Sequence, residues 1–195
     1  MKKVLKTYCN NRESKGGICM GINYGIHKRA GFSDPSPYPE IRVEAPNQAY
    51  LEMIMDDYAG IVSEFTAINQ YLYHYFETKK YDDLSEMFES IAINEMLHME
   101  ILSKLINLLG GRPFFRGGAS TRGNDWSPRF VYYGCNICDM LHADLNSEFK
   151  AIKNYQEHIR LIDDKYIKKI LERIILDERV HVEHYKNAID NYCLS

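Results

Sequence analysis

Twelve residues, Ser63 to His74, recur as Ser147 to His158 with seven identities in the pattern Ser-Glu-Phe-x-Ala-Ile-x-x-Tyr-x-x-His. A second match follows at almost the same displacement: Ile91, Glu95, His98 and Glu100 correspond to Ile174, Glu178, His181 and Glu183. Chance resemblance between helices does not keep acidic residues in register in two pairs of segments at once. The chain is therefore expected to carry two copies of one helical hairpin, related by a pseudo-two-fold axis.

Glycine and proline mark where those hairpins lie. Gly and Pro cluster before residue 47 and again between 110 and 134, with Gly60 alone between. The stretches 47–109 and 135–195 are each too long for one ordinary helix. Asn47 after Pro46 is a suitable N-cap, and Asp83 with Glu86 has capping-box spacing. Gly110-Gly111 before Arg112-Pro113 is a stop, and Asp163-Asp164 offers a cap for a last helix. The expected helices are 47–79, 83–109, 135–162 and 164–192. Short first and third connections make antiparallel pairs, and the segment at about 110–132 is a long crossover. The predicted fold is all-α: a four-helix bundle spanning 46–195, with residues 1–45 as an N-terminal tail or an arm that wraps it.

The apolar seams confirm the period and expose an anomaly. Leu84, Phe88, Ile91, Leu102 and Leu105 follow a 4-3 alternation, as do Ile167, Leu171, Ile174 and Tyr185. Within those two series the places of 95, 98, 178 and 181 are taken by Glu, His, Glu and His. Glu64 and Glu148 interrupt the seams of the other two helices. Four carboxylates in a core repel one another and lose their hydration, at several kcal/mol per uncompensated ion. Two divalent cations balance them. One Glu from each of two helices, plus Glu-x-x-His from each of the other two, is the ligand set of di-metal carboxylate bundles. Spacing of i, i+3 puts each Glu and His on one helix face, within reach of one ion. Mixed imidazole and carboxylate donors suit iron or manganese better than structural zinc. The predicted cofactor is two metal ions per chain, Fe or Mn.

Glu64, Glu95-x-x-His98, Glu148 and Glu178-x-x-His181 resemble the ligand pattern of the ferritin-like superfamily. Tyr58 to Leu109 and Tyr133 to Tyr185 are most similar to bacterial rubrerythrin and ferritin-like domain proteins. The resemblance implies terminal ligation by Glu64 and Glu148, bridging by Glu95 and Glu178, and one metal capped by each of His98 and His181. Asn94 and Asp177, matched positions before the two motifs, are placed to hold the imidazole of the opposite hairpin. Tyr71 and Tyr155, two turns beyond Glu64 and Glu148, are placed to bond a ligand carboxylate or to fill the core. Two departures stand out. A further rubrerythrin Glu is replaced by Ala151, and a single Cys-x-x-Cys, Cys135 and Cys138, cannot build a rubredoxin site. The same six residues also resemble bacterioferritin and manganese catalase.

What remains narrows the function class. A net charge of −3 supplies no basic excess for nucleic acid. No apolar run is long enough for a membrane span, and the basic start MKKVLKTYCN has no apolar signal core. Five cysteines are too few for a disulfide scaffold, which suggests a reducing, cytoplasmic setting. Cys135 and Cys138 read as partly buried residues or, less simply, a redox pair, while Cys9, Cys19 and Cys193 show no metal spacing. His74, His142, His158 and His184 read as surface or second-face residues. The expectation is an oxidoreductase acting on hydrogen peroxide or dioxygen, rubrerythrin-like, with an external electron donor. The alternatives are manganese-catalase-like disproportionation, and a non-enzymatic metal-binding, iron-storage or coat-type role. Aromatics in the crossover and first helix, together with the resemblance, suggest a homodimer.

Overall fold

The computed structural model describes residues 31–194. Five α-helices form the bundle: α1 (Gln48–Ala59), α2 (Glu64–Glu77), α3 (Asp82–Leu108), α4 (Ile137–Leu161) and α5 (Lys165–Cys193). No strand is present among the described residues; one 3-10 turn, Pro128–Phe130, lies in the crossover. α2 pairs with α3 and α4 with α5, giving the two expected hairpins.

The first predicted helix is broken. Gly60 ends α1, Ser63 starts α2, and the Ser63 hydroxyl accepts the N–H of Thr66. The reading of 47–79 as one helix missed this because Gly60 is the only glycine or proline in that span. Glu64 thus becomes the first residue of α2. The positive end of the helix dipole favours a carboxylate there.

The crossover is fastened at this break. The Asp56 carboxylate accepts the backbone N–H groups of Gly118 (3.0 Å) and Ser120 (3.2 Å), and the Ile61 N–H donates to the Ser120 hydroxyl (3.1 Å). A Cβ on Gly118 would stand 2.2 Å from the Glu52 carbonyl oxygen, so only glycine allows this approach. Crossover aromatics also pack inward: the Phe115 ring stacks on Phe65 at 4.5 Å, and the Trp126 indole N–H donates to Thr66 (2.9 Å).

Other ends follow local chemistry. Asn47 caps α1, Asn136 caps α4 and Asp164 caps α5 through their side chains. Gly110 takes φ +92° where α3 stops. The capping box expected at Asp83 does not form. α3 begins at Asp82 after Tyr81, and Asp83 instead accepts the Tyr192 hydroxyl at 2.6 Å.

Apolar side chains form two clusters along the bundle. One gathers Leu84, Phe88 and Ile91 with Leu141, Tyr185 and Ala188. The other joins Ile101, Leu102 and Leu105 to Ile167, Leu171 and Ile174. Between them lie Glu95, His98, Glu178 and His181, all with 1% exposure or less.

Cysteine pairing differs from expectation. Cys138 bonds Cys193, closing the start of α4 onto the end of α5, and Cys135 is exposed and free. The Cys135–Cys138 pair therefore does not form, because Cys135 precedes the helix while Cys138 sits in its first turn, facing α5. Cys9 and Cys19 fall outside the described residues, as does most of the 1–45 segment.

Candidate metal centre

Each hairpin contributes three donors to one buried cluster. Glu64 from α2 and Glu148 from α4 are 3% and 1% exposed. The i, i+3 pairs Glu95/His98 on α3 and Glu178/His181 on α5 face them. The donor atoms form two sets, each within 4.8 Å: Glu64, Glu95, His98 and Glu178, and Glu95, Glu148, Glu178 and His181. Glu95 and Glu178 belong to both.

Three carboxylates converge on each Nδ1. His98 Nδ1 lies 2.8 Å from Glu95 Oε2, 3.2 Å from Glu178 Oε1 and 3.7 Å from Glu64 Oε2. His181 Nδ1 lies 2.9 Å from Glu95 Oε1, 3.2 Å from Glu178 Oε2 and 3.5 Å from Glu148 Oε2. A single N–H on each Nδ1 can serve only one of these oxygens. Accordingly Glu95 Oε1 and Glu178 Oε1 are buried acceptors with no hydrogen bond, although each is close to an imidazole. A cation at each convergence point would satisfy all of them, so the donor set fits two metal ions.

The electrostatics agree. Burial and the neighbouring carboxylates push Glu64 and Glu148 well above the ordinary Glu value. Burial opposes charge on His98 and His181, but Tyr38 together with the carboxylates at His98, and the carboxylates at His181, outweigh it and raise both imidazoles. The protein atoms thus share too few protons among too many carboxylates, which positive ions would relieve.

The outer atoms of the imidazoles are also held. His98 Nε2 lies 3.1 Å from Asp177 Oδ2, on the other hairpin. Asn94 Nδ2 lies 3.1 Å from His181 Nε2, again across hairpins, and 3.2 Å from His98 Nε2. Asn94 Oδ1 has no partner. Turning that amide by 180° would present Oδ1 to both Nε2–H groups, the tautomer that metal at both Nδ1 atoms requires. Tyr71 donates to Glu148, and Tyr155 donates to Glu64.

A cavity of about 120 Å³ reaches the cluster between α2 and α4, bounded by Glu64, Tyr71, Glu148 and Tyr155 with Ala67 and Ala151. Neither of the repeat-matched histidines His74 and His158 is a surface residue. His74 is fully buried, with Nδ1 2.7 Å from Asp144, and His158 is half-buried, with Nδ1 2.8 Å from Asp57. The repeat itself was the available signal, since His74 and His158 are matched positions in it. His142 is exposed, and His184 stacks on Phe32 at 4.3 Å.

The family model described as a ferritin-like domain matches residues 59–193. The chain belongs to the ferritin-like family. Similar family members include a probable manganese catalase of Clostridium acetobutylicum, 25% identical over 172 residues that span 77% of this chain and 75% of that protein. A bacterioferritin of Brucella melitensis is 30% identical over 132 residues, 65% of this chain and 76% of that one. Among ferritin-like structures, a manganese catalase from Anabaena superposes with a TM-score of 0.73 at 23% identity, covering 81% of this chain and 78% of that chain.

Proposed function

We propose that this ferritin-like chain is a di-metal oxidoreductase acting on hydrogen peroxide by disproportionation, 2 H2O2 → 2 H2O + O2. The six-donor cluster at the end of a narrow cavity carries the reading. The space admits a molecule of peroxide size, and alanines at 67 and 151 leave it unobstructed. Rubrerythrin-like reduction with an external donor, or use of dioxygen, draws on the same cluster. Disproportionation is favoured because the probable manganese catalase matches more of this chain than the bacterioferritin does.

In this reading Glu64 and His98 would hold one ion, Glu148 and His181 would hold the other, and Glu95 and Glu178, common to both donor sets, would serve both. The bound pair, manganese or iron, would supply the reversible two-electron store that peroxide chemistry needs. The remaining work belongs to the chain. Burial keeps Tyr71 protonated well above the ordinary tyrosine range, so its hydroxyl remains a donor to Glu148. Tyr155 donates likewise to Glu64. The two apolar clusters exclude bulk water above and below the donors.

Oxygen evolution from peroxide without reductant, by protein loaded with Mn2+ or Fe2+, tests the proposal. Peroxide loss only with a reductant would favour the rubrerythrin-like reading. Metal uptake with no turnover would favour storage or a coat-type role. We further propose a homodimer. Phe76, Phe114, Phe115, Tyr133 and Phe149 are 47–62% exposed, more aromatic surface than a monomer usually leaves bare. Light scattering should give about twice the 22.8 kDa chain mass.

A further inference from the structure

The cavity approaches the carboxylate side of the cluster. The imidazole side is closed by something else: the described part of the N-terminal segment. Tyr38 donates its hydroxyl to Asp177 Oδ2 at 2.6 Å, and the Asp34 N–H donates to Asp177 Oδ1 at 2.6 Å. Asp177 Oδ2 is the atom that faces His98 Nε2. The Phe32 carbonyl lies 3.1 Å from His181 Nε2. Both imidazoles thus lean on this segment, one through Asp177 and one directly.

The segment is latched rather than draped. Buried Arg173 donates to the carbonyls of Ser36 (3.0 Å) and Asp34 (2.8 Å) and to Asp177 Oδ1 (2.9 Å). Its guanidinium also stands 4.2 Å from the centre of the Tyr38 ring. Asp177 is therefore held by Arg173 and Asp34 at one oxygen and by Tyr38 and His98 at the other.

We propose that residues 32–38 are a positioning strap for the metal-binding imidazoles, with Tyr38 fixing the Asp177 carboxylate against His98. The proposal rests on the di-metal reading. Without the Tyr38 hydroxyl, Asp177 stays anchored at Oδ1 and swings about it, so His98 loses its charged acceptor and keeps only the Asn94 amide at Nε2. His181 leans on a backbone carbonyl that Tyr38 does not touch. The effect therefore falls on one ion of the two. Groups that orient metal-binding histidines change metal affinity by about 10–100-fold when removed. Tyr38 acts one bond further out, so the low end applies.

The experiment is a Co2+ titration of the full-length chain, read by visible absorption with a competing chelator. Tyr38→Phe keeps the ring over Arg173 and removes only the hydroxyl; Asp177→Asn removes the charged acceptor itself. The wild type should take up two Co2+ ions. Tyr38→Phe should weaken one of them about tenfold and alter its absorption, leaving the other unchanged, and Asp177→Asn should weaken the same ion at least as much. Equal affinities and spectra for Tyr38→Phe and wild type would overturn the strap. So would a parallel loss at both ions, which indicates general loosening. A wild type that binds no Co2+ would overturn the metal centre itself, a result separate from either.

Discussion

Tyr71 on the first hairpin donates its hydroxyl to Glu148 on the second, and the second returns the bond from Tyr155 to Glu64. The hairpins are braced to one another through the carboxylates themselves. Tyr71→Phe leaves a buried carboxylate short of a donor. Such a loss costs about 1–3 kcal/mol. Denaturant titration of metal-free Tyr71→Phe and Tyr155→Phe should show both losses, similar in size because the positions are repeat-related.

Metal stoichiometry should depend most on the shared carboxylates. Glu95→Ala or Glu178→Ala removes a group common to both donor sets, and should bring uptake from two ions per chain to one or none. Elemental analysis after loading checks this. Retention of two ions in either variant would show that the carboxylates are not shared.

Removing metal should destabilise the chain near neutral pH. An ion present at 100 times its dissociation constant contributes about 2.7 kcal/mol, or roughly 5–10 °C in melting temperature for a chain of this size. Calorimetry of chelator-treated and reloaded protein at pH 7 measures it. Coincident transitions would mean that the carboxylates do not need cations.

The His158–Asp57 pair predicts a pH dependence away from the centre. Burial opposes the charged imidazole, but the bond to Asp57 outweighs it and raises His158 above its ordinary value. A raised folded value means that the contribution is complete below about pH 6.5, where the unfolded chain is also protonated, and fades as pH rises through the folded value. The stability gap between wild type and His158→Gln should therefore be widest just below about pH 6.5, at about 1–2 kcal/mol, and shrink towards alkaline pH and again at lower pH, where Asp57, raised by its burial, takes up a proton. Parallel denaturation series at several pH values would show it.

The hairpins, and the six polar residues that the fold brings together, could be read from the sequence because they are periodic. Glu95, His98, Glu178 and His181 replace apolar residues in a 4-3 series, and a substitution in a regular pattern is visible without coordinates. The break at Gly60 was hidden, since a lone glycine is the only breaker between residues 47 and 109. Asp83 failed as a cap because Tyr192, distant in sequence, engages it. The Cys138–Cys193 bridge joins segments that only the closed hairpin brings together. The strap was illegible for another reason. Apart from the Tyr38 hydroxyl, its contacts are made by the Phe32, Asp34 and Ser36 carbonyls and the Asp34 N–H, and backbone groups carry no sequence signature.

The clasp between Gly118 and the end of α1 changes what counts as a remote mutation. Glu64 follows the helix break by four residues, and the loop joining the hairpins is seated against that break, with a Gly117 Cβ only 2.8 Å from the Gly60 Cα. A single methyl group at Gly117 or Gly118, more than fifty positions from Glu64 in the chain, would push on the start of α2. Its damage would register at one donor of the cluster, while the Glu-x-x-His pairs on α3 and α5 stayed in place. In a mutational survey, substitutions in this linker would sort with lesions of a single ligand rather than with ordinary loop variants.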